Sequence, residues 1–97
     1  MRVVYLDAAE EELLAALDHL LHASSSKAVA EALVAEVGEA EKRIGELPEA
    51  HPPAGEDARR YLLKRFPYQL IYRVKGDEIQ ILAFAHLKRR PGYWRLR

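Results

Sequence analysis

The stretch Tyr68-Gln69-Leu70-Ile71-Tyr72-Arg73-Val74-Lys75-Gly76-Asp77-Glu78-Ile79-Gln80-Ile81-Leu82-Ala83-Phe84-Ala85-His86 decides the fold. Tyr68, Leu70, Tyr72 and Val74 alternate with Gln69, Ile71 and Arg73, which is the two-residue period of a strand. Gly76-Asp77 then supplies a tight turn, with glycine taking the positive backbone angle that such turns need. In the second arm Ile79, Ile81, Ala83 and Ala85 should line one face, and Gln80, Leu82, Phe84 and His86 the other. This arm is apolar on both sides for most of its length, so it is expected at the centre of a sheet.

Upstream, Tyr61, Leu63 and Arg65 alternate with Arg60, Leu62, Lys64 and Phe66 until Pro67 breaks the ladder, which reads as a third strand. Gly45 to Asp57 contains Pro48, Pro52, Pro53 and Gly55 and reads as an irregular connection. Before it, Val29, Leu33, Val37, Ala40 and Ile44 recur at helical spacing over Lys27 to about Ile44. Leu13, Leu17, Leu20 and Leu21 do the same over about Ala8 to His22, with Glu11, Glu12 and Asp18 largely off the stripe. Asp7 with Glu10 forms a capping-box pattern at the start of the first helix, and one of Ser24, Ser25 and Ser26 should cap the second. Val3, Val4 and Tyr5 make a short opening strand over Arg2 to Leu6.

The resulting order is β-α-α-β-β-β. Two amphipathic helices joined by a short turn form a hairpin whose apolar faces cannot all be buried on each other, so they pack on an antiparallel-type sheet. The class is α+β. At 97 residues the chain is expected to be one domain, 1–97. It has no cysteine, which removes disulfides, thiol nucleophiles and thiolate metal sites. No apolar run approaches a membrane span and the first residues turn acidic too soon for a signal peptide, so a cytoplasmic location without membrane contact is the expectation.

The formal net charge is zero, but it hides two opposed halves. Residues 1–57 hold thirteen acids against Arg2, Lys27, Lys42 and Arg43, whereas residues 58–97 hold eleven bases against Asp77 and Glu78. Seven of the eight aromatics also fall in the basic half. In Ala85-His86-Leu87-Lys88-Arg89-Arg90-Pro91-Gly92-Tyr93-Trp94-Arg95-Leu96-Arg97, bases surround two adjacent aromatics. Such a segment can hold phosphates and stack bases, or serve as a docking surface for an acidic partner, or be a solvated tail. Arg59, Arg60, Lys64, Arg65 and Arg73 could line a basic face with it, or could be ordinary water-facing strand positions.

His86 ends the central strand. It could move protons near neutrality or be a hydrogen-bonded strand end. His19 and His22 have ligand spacing on a helix, but no third ligand stands beside them, so no metal and no cofactor is expected. The serines lie in the interhelical turn without an acid-base pair, and the acids crowd helix surfaces, so serine-nucleophile and paired-carboxylate chemistry are disfavoured.

The chain resembles the RelE/ParE superfamily of bacterial type II toxin-antitoxin toxins. The matching residues are Arg60, then Arg65-Phe66-Pro67-Tyr68, the strand of Tyr72, the run Ile79 to His86, and Arg89-Arg90-Pro91-Gly92-Tyr93-Trp94. The element order looks like that family's over nearly the whole chain. The resemblance implies a growth inhibitor, of the kind tied to plasmid stabilisation, neutralised by an antitoxin with an acidic, partly disordered segment. It also implies one of two targets.

RelE-like members are metal-independent endoribonucleases that cut messenger RNA on the ribosome. By that resemblance Lys88, Arg90, Tyr93 and His86 would be the catalytic candidates here. ParE-like members are described as inhibitors of DNA gyrase, which would make Arg60, Arg65, Arg89, Arg90, Tyr93, Trp94 and Arg95 target contacts. The nuclease branch's C-terminal Tyr position falls on Trp94, with Tyr93 one place earlier, and the neutral total charge is unlike a protein that grips ribosomal RNA. The reading therefore leans to the ParE-like branch. A ribosome-dependent nuclease and a non-toxic interaction module of the same fold stand as alternatives.

Overall fold

The computed structural model describes residues 1–24, 26–55 and 57–97. Ser25, in the expected interhelical turn, and Glu56, in the expected connection, lie outside the described residues. The elements are β1 (Arg2–Tyr5), α1 (Asp7–Ser24), α2 (Lys27–Glu46), β2 (Arg59–Leu62), β3 (Tyr68–Lys75) and β4 (Glu78–His86).

Helix α1 begins at Asp7 itself, so Asp7 and Glu10 both sit in its first turn, where negative charge complements the exposed N–H groups of the helix start. Ser26 is the cap of α2, its Oγ accepting from the Ala28 N–H at 3.2 Å. Ala30, Leu33, Val37, Ala40 and Ile44 form the buried stripe of α2, close to the expected set, with Ala30 in place of Val29. On α1 the fully covered residues are Ala9 and Ala16, while Leu13, Leu17 and Leu20 pack partly and Leu21 is exposed. Alanines there let the helix lie close on β4.

The sheet order is β1-β4-β3-β2, so β4 is central as expected. The expected antiparallel-type sheet is in fact mixed: β2, β3 and β4 are antiparallel neighbours, but β1 pairs with β4 in parallel, Val3 opposite Ile79 and Tyr5 opposite Ile81. The α1–α2 hairpin between β1 and the later strands is long enough to make the crossover that a parallel pair requires. β2 is also shorter than its alternation suggests, ending at Leu62. Glu36 of α2 accepts from the backbone N–H groups of Lys64 and Arg65 and holds the chain off the sheet there.

The hairpin turn is as read, with Gly76 at φ 64° and Lys75 paired to Glu78. The phase of β4 is not. Ile71 pairs with Ala83 and Tyr72 with Ile81, leaving Leu82 without a partner in β3. This bulge lets Leu82 and Ala83 pack together on one face and returns Phe84 to the face of Ile79 and Ile81. The sequence pattern, read as unbroken alternation, put Phe84 opposite them.

Two clusters result. Leu33, Val37, Ile44, Leu70, Tyr72, Ile79, Ile81 and Phe84 pack between the helices and the sheet. On the other face, Ile71, Leu82 and Ala83 are covered by Ala58 and Trp94. The connection is tied down from both sides: the Tyr72 hydroxyl donates to the Pro48 carbonyl, and Arg59 Nη1 to the His51 carbonyl at 2.8 Å.

Candidate target-binding surface

The face of the sheet away from the helices carries the candidate site. After His86 the chain turns at Leu87 and Lys88, passes Pro91-Gly92 and lays Trp94 against Leu82 and Ala83. Gly92, at φ 77°, makes the reversal. Trp94 is only 9% exposed. Its large ring replaces the helix layer that this face lacks, and it reaches the connection, where Cη2 stands 3.4 Å from the position a Gly55 Cβ would take.

Beside Trp94 lies a hollow of about 380 Å³, floored by Leu62, Ile71 and Ala85 and rimmed by Arg60, Arg89, Arg90 and Arg95. Among the described residues no acid lines it. Gln69 also reaches it, and among the described residues its buried Oε1 has no hydrogen-bond partner. Guanidinium groups around an apolar floor are suited to a ligand that brings negative charge. A second hollow, of about 390 Å³, lies on the other side of Trp94, between Arg73, Asp57 and Arg97.

Tyr93 is engaged by its neighbours. Its hydroxyl donates to Glu12 Oε2 at 2.7 Å, and the Arg89 and Arg97 guanidinium carbons stand 3.9 and 5.0 Å from its ring centre. Burial, with the Glu12 carboxylate accepting the hydroxyl's hydrogen bond and standing close by, pushes the phenol up to about 12. His86 stands edge-on to Tyr68, ring centres 5.2 Å apart, and its Nδ1 accepts from the Lys88 N–H at 3.0 Å. That is the strand-end arrangement weighed above.

The comparisons with known proteins agree with this architecture. The family model for the ParE toxin of type II toxin-antitoxin system, parDE, matches residues 3–91. The chain belongs to the ParE toxin family. Among solved structures, the chromosomal ParDE TA system from P. aeruginosa superposes with a TM-score of 0.69 at 26% identity, covering 89% of this chain and 95% of that chain. No curated protein sequence matches it. The protein is thus a ParE-like toxin, the toxin half of a toxin-antitoxin pair.

Within this toxin the sequence-predicted site residues divide. Arg60, Arg89, Arg90, Tyr93, Trp94 and Arg95 come together around one hollow. Arg65 does not: it lies at the turn held by Glu36, over Phe66, away from the hollow. Lys64 shares that turn, and Arg59 is spent on the connection. Trp94 offers the solvent little area and serves mainly as cover for the sheet. Lys88 is exposed beside the hollow without lining it.

One residue was missed. Glu12, expected off the apolar stripe, is half-buried at the free edge of β4 and accepts from four donors. Its position at helical spacing between the buried Ala9 and Ala16 was the available signal. His22 Nδ1 bonds the Asp18 carbonyl within its own helix, and among the described residues no group of three or more metal-ligating side chains occurs. Nor is any helix among them long and apolar enough to cross a membrane.

Proposed function

We propose that this toxin arrests growth by binding DNA gyrase through the arginine-rimmed hollow, and that its antitoxin neutralises it with an acidic, partly disordered segment. The observation that carries the reading is the state of Tyr93. In a ribonuclease of this fold the C-terminal tyrosine would have to exchange a proton with the ribose or the leaving group. Here the hydroxyl is committed to Glu12 and its ionisation is pushed toward about 12. What remains at the hollow is a set of fixed positive charges over an apolar floor, which suits recognition more than proton transfer.

Under this reading Arg60, Arg90 and Arg95 make the principal contacts, with Arg89, Tyr93 and Trp94 framing them. The same charge draws the antitoxin segment, since the half of the chain that forms this face holds eleven bases against two acids. The toxin works inside the cytoplasm, where the target is found. The decisive experiment is supercoiling by purified gyrase with and without the toxin. Inhibition that the antitoxin reverses supports the proposal, and unchanged supercoiling at micromolar excess of toxin sinks it. New cleavage sites on translated messages, mapped by primer extension after induction, would move the reading to the nuclease branch.

A further inference from the structure

β1 is only four residues long and pairs with β4 no further than Ile81, the last ladder bond running from the Leu6 N–H to the Ile81 carbonyl at 3.0 Å. Beyond it β4 has an open edge, and an open edge leaves backbone groups without partners. Two side chains take the place of the missing strand. Glu12 Oε1 accepts from the Phe84 N–H at 3.1 Å, and Arg97 Nη1 donates to the Leu82 carbonyl at 3.1 Å. The two are joined to each other, Arg97 Nη1 to Glu12 Oε1 at 2.8 Å and Nη2 to Oε2 at 3.2 Å, and Tyr93 completes the set through its hydroxyl. The side chains of Arg97 and Glu12 are 23% and 17% exposed, so the pair is largely withdrawn from water.

We infer that Glu12 is a positioning residue for the arginine hollow: from the helix layer it reaches round the edge of β4 and clamps Gly92–Arg97 to the opposite face. The clamp fixes the ends of a short segment that contains Arg95 and Trp94 and whose Tyr93 seats Arg89. Releasing it frees the roof of the hollow while leaving the helix–sheet core as it is. The inference rests on the hollow being the target surface, and extends that reading to a residue of the acidic half of the chain.

The test compares Glu12→Gln, which keeps the shape but loses the charge, with Tyr93→Phe, which removes one donor only. Glu39→Gln, in an exposed ion pair with Arg43 on α2, is the control. Amide exchange is followed residue by residue, acrylamide quenching reports on Trp94, and the concentration that halves gyrase supercoiling is measured. Glu12→Gln is expected to raise exchange over residues 92–97 and at Phe84 by about tenfold or more without raising it in α2 or β3, and to increase quenching. The half-inhibitory concentration should rise by about tenfold. Tyr93→Phe should move each readout the same way by less, and the control should move none.

Wild-type exchange and quenching in both variants would overturn the clamp itself. Raised exchange with unchanged inhibition would overturn Glu12 as a positioning residue for function while leaving gyrase as the target. Should wild type fail to inhibit gyrase at all, the target reading falls instead, and exchange alone decides the clamp.

Discussion

The Arg89 guanidinium lies 3.9 Å from the ring centre of Tyr93, stacked on a phenol that Glu12 holds from behind. All four rim arginines are exposed, but Arg89 is held on the Tyr93 ring, whereas no such ring contact holds Arg60, Arg90 or Arg95 among the described residues. Reversing one rim charge, as in Arg60→Glu or Arg90→Glu, should weaken growth inhibition by about tenfold or more, because a like charge faces the partner's anionic groups. Arg65→Glu, at a similarly exposed site away from the hollow, should leave it close to wild type. Plating efficiency after induction without antitoxin distinguishes the two.

Leu33 is fully buried between α2 and the sheet. Leu33→Ala removes its apolar contacts and leaves a cavity that rigid neighbours on β3 and β4 fill poorly, at a cost of about 2–5 kcal/mol. Urea unfolding should show the midpoint falling with little change in slope. Val34→Ala, on the exposed side of the same helix, should change stability by less than about 0.5 kcal/mol.

Two glycines with positive φ separate geometry from space. Gly76, at φ 64°, has nothing within 4 Å of a Cβ, so Gly76→Asn should cost little, since asparagine tolerates this region. Gly92, at φ 77°, would place its Cβ 2.7 Å from Arg95 Nε. Gly92→Ala therefore adds a clash to the backbone strain of about 1–2 kcal/mol. It should raise amide exchange over residues 92–97 before it moves the global unfolding midpoint.

Three tyrosines, Tyr5, Tyr72 and Tyr93, hold their protons more tightly in the fold, Tyr72 through burial, and the two bonded to glutamates carry the prediction. Burial, and the Glu41 carboxylate that accepts its hydroxyl at 2.6 Å, push the Tyr5 phenol well up, and Tyr93 is pushed to about 12. Both keep their protons more tightly folded than unfolded, so the folded state binds more protons and stability falls as pH rises. Their contribution is whole below the ordinary phenol range near about 10 and is lost above it. Tyr5→Phe with Tyr93→Phe should flatten the decline of the urea midpoint between pH about 9 and about 11.5.

Glu12 contributes to the acid limb at the C-terminal segment. Burial acts to raise its pKa, but the hydrogen bonds from Arg97, Tyr93 and the Phe84 N–H outweigh it and hold the carboxyl below its ordinary range. A depressed carboxyl stabilises above its unfolded pKa and loses that contribution as pH falls through the folded value. Trp94 emission in wild type should therefore stay constant down through ordinary carboxylate titration and change only below it. Glu12→Gln should remove that late transition.

Most of the fold was legible because it rests on periodicity. The stripe of α2 and the Gly76-Asp77 turn express local rules, and the apolar two-sidedness of β4 placed it at the centre of the sheet. The parallel pairing of β1 was not legible, since four residues carry no mark of strand direction. Nor was the bulge at Leu82, whose neighbours are apolar on both sides and so hide a change of phase. At the site, the cluster of arginines and aromatics was visible in composition. The burial of Trp94 and the role of Glu12 were not, because each depends on how the last residues fold back across the sheet. Arg65 looked equivalent to Arg60 until β2 ended three residues before it.

The unpaired Leu82 also governs how β4 can change length. Removing that one residue would leave Ala83 opposite Ile71, Ile81 opposite Tyr72, and Phe84 still turned toward the helices, because only the surplus position disappears. Gaining a residue between Ala83 and Phe84 would instead exchange the two surfaces beyond it, turning Phe84 toward the arginines. Family members that differ by one residue in this strand should therefore show the gap at Leu82, where a shorter chain keeps the same architecture.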